Sequence, residues 1–115
     1  MRLVAVAFLI TFAMPALAVP IGPVFAPCAA CHKVEKGKNG LGPHLSRIVG
    51  RKRASVAGFT YSDAMKAKGG VWSESELDAY LASPKIYIPG NRMSFPGYKD
   101  PIKRAAMIAY LKTLK

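Results

Sequence analysis

The residues that could do chemistry together are Cys28-Ala29-Ala30-Cys31-His32. Two cysteines separated by two residues, with histidine next, form the attachment signature of a c-type haem. Each thiol can add across one vinyl group of a porphyrin to give a thioether. Residues three apart on one helical turn share a side, so both sulfurs can reach the ring edge. The histidine then turns toward the ring centre, where an imidazole nitrogen can bind iron. Three plainer readings compete: a thioredoxin-type redox pair, a structural disulfide, and half a zinc site. A thioredoxin-type pair belongs in a βαβ setting, and no β-branched strand pattern precedes Cys28. Zinc needs four ligands, and only His44 remains as a further strong nitrogen or sulfur donor. An exported chain with two cysteines could simply form a disulfide; the adjacent histidine argues against it.

A six-coordinate iron needs a second axial donor, and the candidates are Met65, Met93, Met107 and His44. Met65 and Met107 fall on expected helices, where methionine usually fills core space. His44 comes soon after the motif, on a connection that hinders it from reaching the opposite face. Met93 sits in Ile88-Pro89-Gly90-Asn91-Arg92-Met93-Ser94-Phe95-Pro96-Gly97, a rigid, irregular stretch suited to delivering a sulfur from the far side. Met93 is the favoured ligand; another ligand or an open iron position is the alternative.

These groups must be positioned by a small chain. Its 115 residues predict one domain. Residues 19–27 carry Pro20, Gly22, Pro23 and Pro27, which predicts a short first helix starting near Pro27, with Phe25 packed just before it. Residues 36–58 are rich in glycine and proline and read as loop, with Leu45, Ile48 and Val49 facing inward. Ser62 to Lys68 reads as a short helix ended by Gly69-Gly70. Ser73 and Glu76 form a capping box for a helix from Glu74 to Ala82, with Leu77, Tyr80 and Leu81 on its inner face. Residues 84–99 read as extended loop. Asp100-Pro101 then starts a last helix to Leu114, with an apolar stripe at Ile102, Ala105, Ala106, Ala109, Tyr110 and Leu114. The result is an all-α chain with long loops. Loops this long are unusual in so small a domain unless something central holds them, and a haem would.

Residues 1–18 read as a secretory signal, with Arg2, an apolar run from Leu3 to Met14, and a small-x-small site at Ala16-Leu17-Ala18. The expected mature chain, 19–115, begins at Val19; losing Arg2 takes the net charge from +11 to +10. So positive a chain implies acidic partners. The basic run Arg51-Lys52-Arg53 is short and lacks interleaved aromatics, which argues against nucleic acid.

Beyond the haem motif, several segments occur in an order that resembles class I cytochromes c, close to the mitochondrial type and its bacterial relatives. They are Gly42-Pro43, Gly50-Arg51-Lys52, Gly58-Phe59-Thr60-Tyr61-Ser62-Asp63-Ala64, Trp72, Tyr80-Leu81, Ser83-Pro84-Lys85, Tyr87-Ile88-Pro89-Gly90, Met93-Ser94-Phe95 and Ile108-Ala109-Tyr110-Leu111-Lys112. The resemblance covers nearly all of residues 25–115. It implies the cytochrome c fold, a few short helices and long loops wrapped around one haem c held covalently by Cys28 and Cys31. It implies His32 and Met93 as iron ligands, with the Pro43 carbonyl accepting the second ring hydrogen of His32. Tyr61 and Trp72 would donate to a buried propionate, Arg51 would offset its charge, Tyr80 would sit near the Met93 sulfur, and Phe95 would cover the haem edge.

Three departures from that family carry expectations. The short, proline-rich first segment predicts loss of the usual crossing between first and last helices, with lower stability or a last helix packed on something else. Met65 replaces a common asparagine near a buried water, which would dry the site. Pro27 replaces a common basic residue beside the haem edge, leaving Lys85, Arg92 and Lys99 to supply much of the docking charge.

The function these readings imply is a soluble periplasmic single-electron carrier, not an enzyme. Its haem edge would dock on acidic faces of redox proteins. A quinol-oxidising cytochrome complex is the implied donor, and an oxidase, peroxidase or photosynthetic reaction centre the acceptor. The carrier would be monomeric, with at most weak contact to an anionic membrane surface. A haem peroxidase or ligand sensor with a labile sixth ligand is the alternative.

Overall fold

Proline decides where the first helix can begin. The computed structural model describes residues 6–12 and 19–115, and α1 spans Ile21–Ala29. It starts earlier than expected because Pro23 falls in the first turn, where backbone N–H groups have no helical partner to lose. Pro27 lies inside α1 and withholds one further N–H. The expected signal segment lies largely outside the described residues, which omit 1–5 and 13–18.

α2 spans Asp63–Lys68, and the Ser62 hydroxyl accepts from the Met65 amide at 3.1 Å. α3 spans Glu74–Ala82, capped by Ser73, whose hydroxyl accepts from the Glu76 amide at 3.2 Å. The reciprocal half of the expected capping box does not form. The Ser73 amide bonds to the Val71 carbonyl, and the Glu76 carboxylate is taken by Arg53 and Tyr87. The stretch expected as extended loop after residue 84 opens with a short helix, α4, over Pro84–Tyr87, with proline at its first position. α5 spans Pro101–Leu111, and Asp100 caps it by accepting from the Ile102 amide at 2.8 Å.

The buried face of α5 is Met107, Ile108 and Leu111; of the expected stripe, Tyr110 and Leu114 pack against the core, whereas Ile102 is exposed. The larger side chains bury more apolar surface, and they decide which way the helix turns. α5 packs on both α1 and α3. The crossing of first and last helices is therefore present, against expectation: Phe25 meets Tyr110 edge to face, ring centroids 4.9 Å apart. Nine residues suffice: Val24 is buried in the core and Ile21, Phe25 and Cys28 pack against it.

No strand forms among the described residues; one isolated antiparallel bridge joins Lys52 to Val71. Around it, the amides of Gly50, Trp72 and Arg53 bond to the carbonyls of Trp72, Arg51 and Gly70 at 2.7, 2.8 and 2.9 Å, and these fix Trp72. Leu45, Ile48 and Val49 do turn inward. The loop after Met93 passes so close to the end of α3 that a Cβ on Gly97, at φ +107°, would run into the Ala82 carbonyl. Glycine allows both the angle and the approach.

Candidate functional site

The end of α1 starts the site. The amides of Cys31 and His32 both bond to the Cys28 carbonyl, at 3.0 and 2.8 Å, so the chain keeps turning through the motif. His32 Nδ1 lies 2.7 Å from the Pro43 carbonyl oxygen. A carbonyl only accepts, so Nδ1 carries the proton and the Nε2 lone pair is left free. Burial pushes the imidazole pKa down, the bond to Pro43 opposes this, and the Arg51 charge adds to it. A neutral imidazole is the ligating form. Gly42 makes room for the ring: a Cβ there would stand 2.5 Å from His32 Cε1.

Met93 is shaped by its neighbour. Asn91 donates from Nδ2 to the carbonyls of Ile88 and Pro84, at 2.8 and 2.9 Å, and accepts the Met93 amide on Oδ1 at 2.8 Å. One side chain thus pins the loop to α4 and sets the Met93 backbone. The Tyr80 hydroxyl donates to Met93 Sδ at 3.4 Å. Burial raises the Tyr80 phenol to about 12, with the Arg53 charge pulling the other way, so it stays a donor.

These groups wall one cavity of about 880 Å³. Every site residue expected from the sequence lines it: Cys28, Cys31, His32, Pro43, Arg51, Tyr61, Trp72, Tyr80, Met93 and Phe95. Arg51 donates from Nη1 to the His44 and Ser46 carbonyls at 2.8 and 3.1 Å; burial lowers its pKa, countered in part by Tyr61. The Tyr61 hydroxyl accepts the Val56 amide at 3.0 Å, and Trp72 meets Tyr80 at a tilt, ring centroids 4.8 Å apart. Of the other axial candidates, Met65 and Met107 line the cavity, Met107 nearly fully buried, whereas His44 stands in a separate cleft with Lys36 and Arg47.

Some residues escaped sequence reasoning. Tyr98 donates to the Val24 carbonyl, meets Phe95 at a tilt with centroids 4.7 Å apart, and its hydroxyl stands 3.8 Å from Cys28 Sγ. Burial raises the Cys28 thiol pKa, and burial also raises that of Tyr98. Arg53 is buried, although it sits in what reads as a surface basic run. Asn91 was visible only as part of a Gly-Asn turn dipeptide, which signals a turn but not the clasp it forms.

The cavity suits a large flat cofactor. Its volume lies within the roughly 300–1,000 Å³ that enclose a ligand. Both cysteines line it, and a neutral imidazole and a thioether complete a donor set for iron. Among the described residues no cluster of three or more His, Cys, Asp or Glu offers a rival metal site.

Comparison with known proteins points the same way. A sequence model of the family described as Cytochrome c matches residues 23–115. Cytochrome c2 iso-2 of Magnetospirillum fulvum is 53% identical over 92 residues, spanning 80% of this chain and 96% of that protein. Cytochrome c-550 of Ancylobacter novellus is 50% identical over 94 residues, spanning 78% and 88%. Among solved structures, cytochrome cH from Methylobacterium extorquens superposes with a TM-score of 0.73 at 47% identity, covering 79% of this chain and 92% of that one.

Proposed function

The chain belongs to the cytochrome c family and has its fold, so it is an electron-transfer protein carrying one covalent haem c, not an enzyme, and from that premise we propose a periplasmic single-electron carrier with iron held by His32 and Met93. When bound, the haem supplies one-electron exchange between ferric and ferrous iron. The protein's part is to hold and orient it. Cys28 and Cys31 would tether it covalently. Pro43 holds His32 in the tautomer that frees Nε2. Asn91 fixes the Met93 backbone by accepting its amide, and the Tyr80 hydroxyl donates to the Met93 sulfur. A thioether donor favours ferrous iron and raises the potential. Tyr61, Trp72 and Arg51 would hold a propionate, and Phe95 would cover the haem edge.

The observation that carries this reading is that an imidazole with its Nδ1 committed to Pro43 and a thioether held by Tyr80 line the same cavity as the two cysteines. The strong positive charge, +11 for the full chain and +10 without residues 1–18, supports docking on acidic faces, where attraction speeds encounter and weakens with salt. A quinol-oxidising complex as donor, and an oxidase, peroxidase or photosynthetic reaction centre as acceptor, fit that chemistry. Export through a signal at residues 1–18 is supported by Val6, Phe8, Leu9, Ile10 and Phe12, which are all at least 76% exposed and contribute nothing to the core. Among the described residues no helix is long and apolar enough to cross a membrane.

The test is ligation. In holoprotein matured in a host that attaches haem c, Met93→Ala should open the iron to added imidazole or carbon monoxide, while Met65→Ala should leave it closed, as read by optical titration. The reverse pattern would reassign the ligand.

A further inference from the structure

Arg53 is the one charged residue in the buried class among the described residues. Its side chain is 2% exposed. The guanidinium carbon lies 4.2 Å from the centroid of the Trp72 ring. Nη1 donates to the Gly69 carbonyl, Nη2 donates to Glu76 Oε2 at 2.9 Å, and Nε has no partner. Glu76 also accepts from the Tyr87 hydroxyl on α4, and its side chain is 37% exposed. Burying a guanidinium is costly, and hydrophobic residues of similar volume often serve stability as well or better. Stability alone therefore does not account for Arg53.

The arrangement has a direction. Trp72 and Tyr80 line the cavity with centroids 4.8 Å apart. Arg53 lies on the face of that indole without itself lining the cavity, and Glu76 lies beyond it at the half-exposed edge. The pair is thus a dipole with its positive end against the cavity wall and its negative end toward water. Solvent screens the outer charge more than the inner one, so the two do not cancel at the cavity.

We propose that Arg53 positions Trp72 by stacking on it, and that the Arg53–Glu76 dipole raises the affinity of the site for an electron. This rests on the electron-carrier reading above. Adding an electron lowers the charge of the site by one unit, and a cation behind the wall favours that state. A stacked guanidinium also holds the indole plane, the attraction being strongest when both groups are desolvated.

The test uses holoprotein and two readouts: the midpoint potential by spectroelectrochemical titration, and exchange of the Trp72 indole N–H by NMR. Arg53→Met strands the Glu76 carboxylate and should lower the potential, with the electron-exchange equilibrium shifted about threefold or more against a fixed one-electron donor. Glu76→Gln unmasks the guanidinium and should raise the potential. Indole exchange should quicken about thirtyfold in Arg53→Met, the size of a lost desolvated cation–π contact. Arg53→Lys keeps the charge and should restore the potential, while exchange stays fast because the planar stack is gone. Opposite shifts from the two partners are the signature of charge; a cluster that only supports the fold would move both variants the same way. Potentials that move together, or do not move, in folded holoprotein would overturn the proposal. Should Arg53→Met fail to fold, Glu76→Gln decides alone: a rise supports it, and no change or a fall overturns it. Wild-type protein without a covalent haem spectrum would overturn the electron-carrier reading instead.

Discussion

Adding one methyl group at Gly42 should dislodge His32. Gly42 is not among the glycines with positive φ, so the backbone there accepts alanine and the obstacle is contact alone. An added Cβ would stand 2.5 Å from His32 Cε1, 2.7 Å from Nδ1 and 3.0 Å from Nε2. Carbon atoms pack at about 3.5–4.0 Å, so the ring must retreat by about 1 Å. The Nδ1 to Pro43 separation is 2.7 Å; a retreat of that size carries it beyond hydrogen-bonding range, about 3.2 Å. Overpacking costs about 1–3 kcal/mol, and the lost hydrogen bond about 1 kcal/mol more. Unfolding of the holoprotein should thus lose about 2–4 kcal/mol, on the order of 10–20 °C in midpoint for a domain of this size. Urea unfolding followed by circular dichroism reads the energy, and the optical spectrum reads the disturbed histidine side of the iron. Gly22→Ala is the control. A Cβ there meets nothing within 4 Å, and Gly22 lies in α1, so that change should stabilise by about 0.5 kcal/mol. A Gly42→Ala protein within about 1 kcal/mol of wild type, with an unaltered spectrum, would refute the reasoning.

Two more perturbations test single contacts. Tyr98→Phe removes the hydroxyl that donates to the Val24 carbonyl and stands beside Cys28, while keeping the ring against Phe95. It should cost about 1 kcal/mol in urea unfolding and speed amide exchange in α1; unchanged exchange there would sink it. His44 has its pKa lowered by burial, with the Arg51 and Lys36 charges pushing the same way, and its Nδ1 is buried without a partner. A histidine with a folded pKa below its unfolded value of about 6.5 favours the unfolded state once protonated. Its contribution is whole above that value and is lost as pH falls through the folded pKa. His44→Asn should therefore flatten the loss of stability between about pH 7 and pH 5, and an identical pH profile in both proteins would show that His44 plays no part.

Much of the site was legible because its signals are local. The cysteine spacing, the histidine beside it, the caps at Ser62, Ser73 and Asp100, and the proline-glycine stretch carrying Met93 are each set by neighbours a few residues away. Segments matched in order, together with these, placed every expected lining residue on one cavity. Readings failed where two distant segments compete for one group. Glu76 reads as half of a capping box, yet its carboxylate serves Arg53, 23 residues away, because a buried guanidinium gains more from a carboxylate than a helix-end amide does.

From its sequence alone this chain carries the Cys28-Ala29-Ala30-Cys31-His32 motif, an imidazole and a thioether of the types that can ligate iron, the helix starts and the strong positive charge. These follow from residue type and short spacing, and hold whatever the rest of the chain does. Tertiary structure alone decided that α5 buries Met107, Ile108 and Leu111, that a nine-residue α1 still crosses it, that Arg53 leaves the surface for the face of Trp72, and that Tyr98 reaches Cys28 across 70 residues. The physical reason is that these outcomes depend on which surfaces fill the same volume and which buried groups find partners, and packing settles both over the whole chain at once.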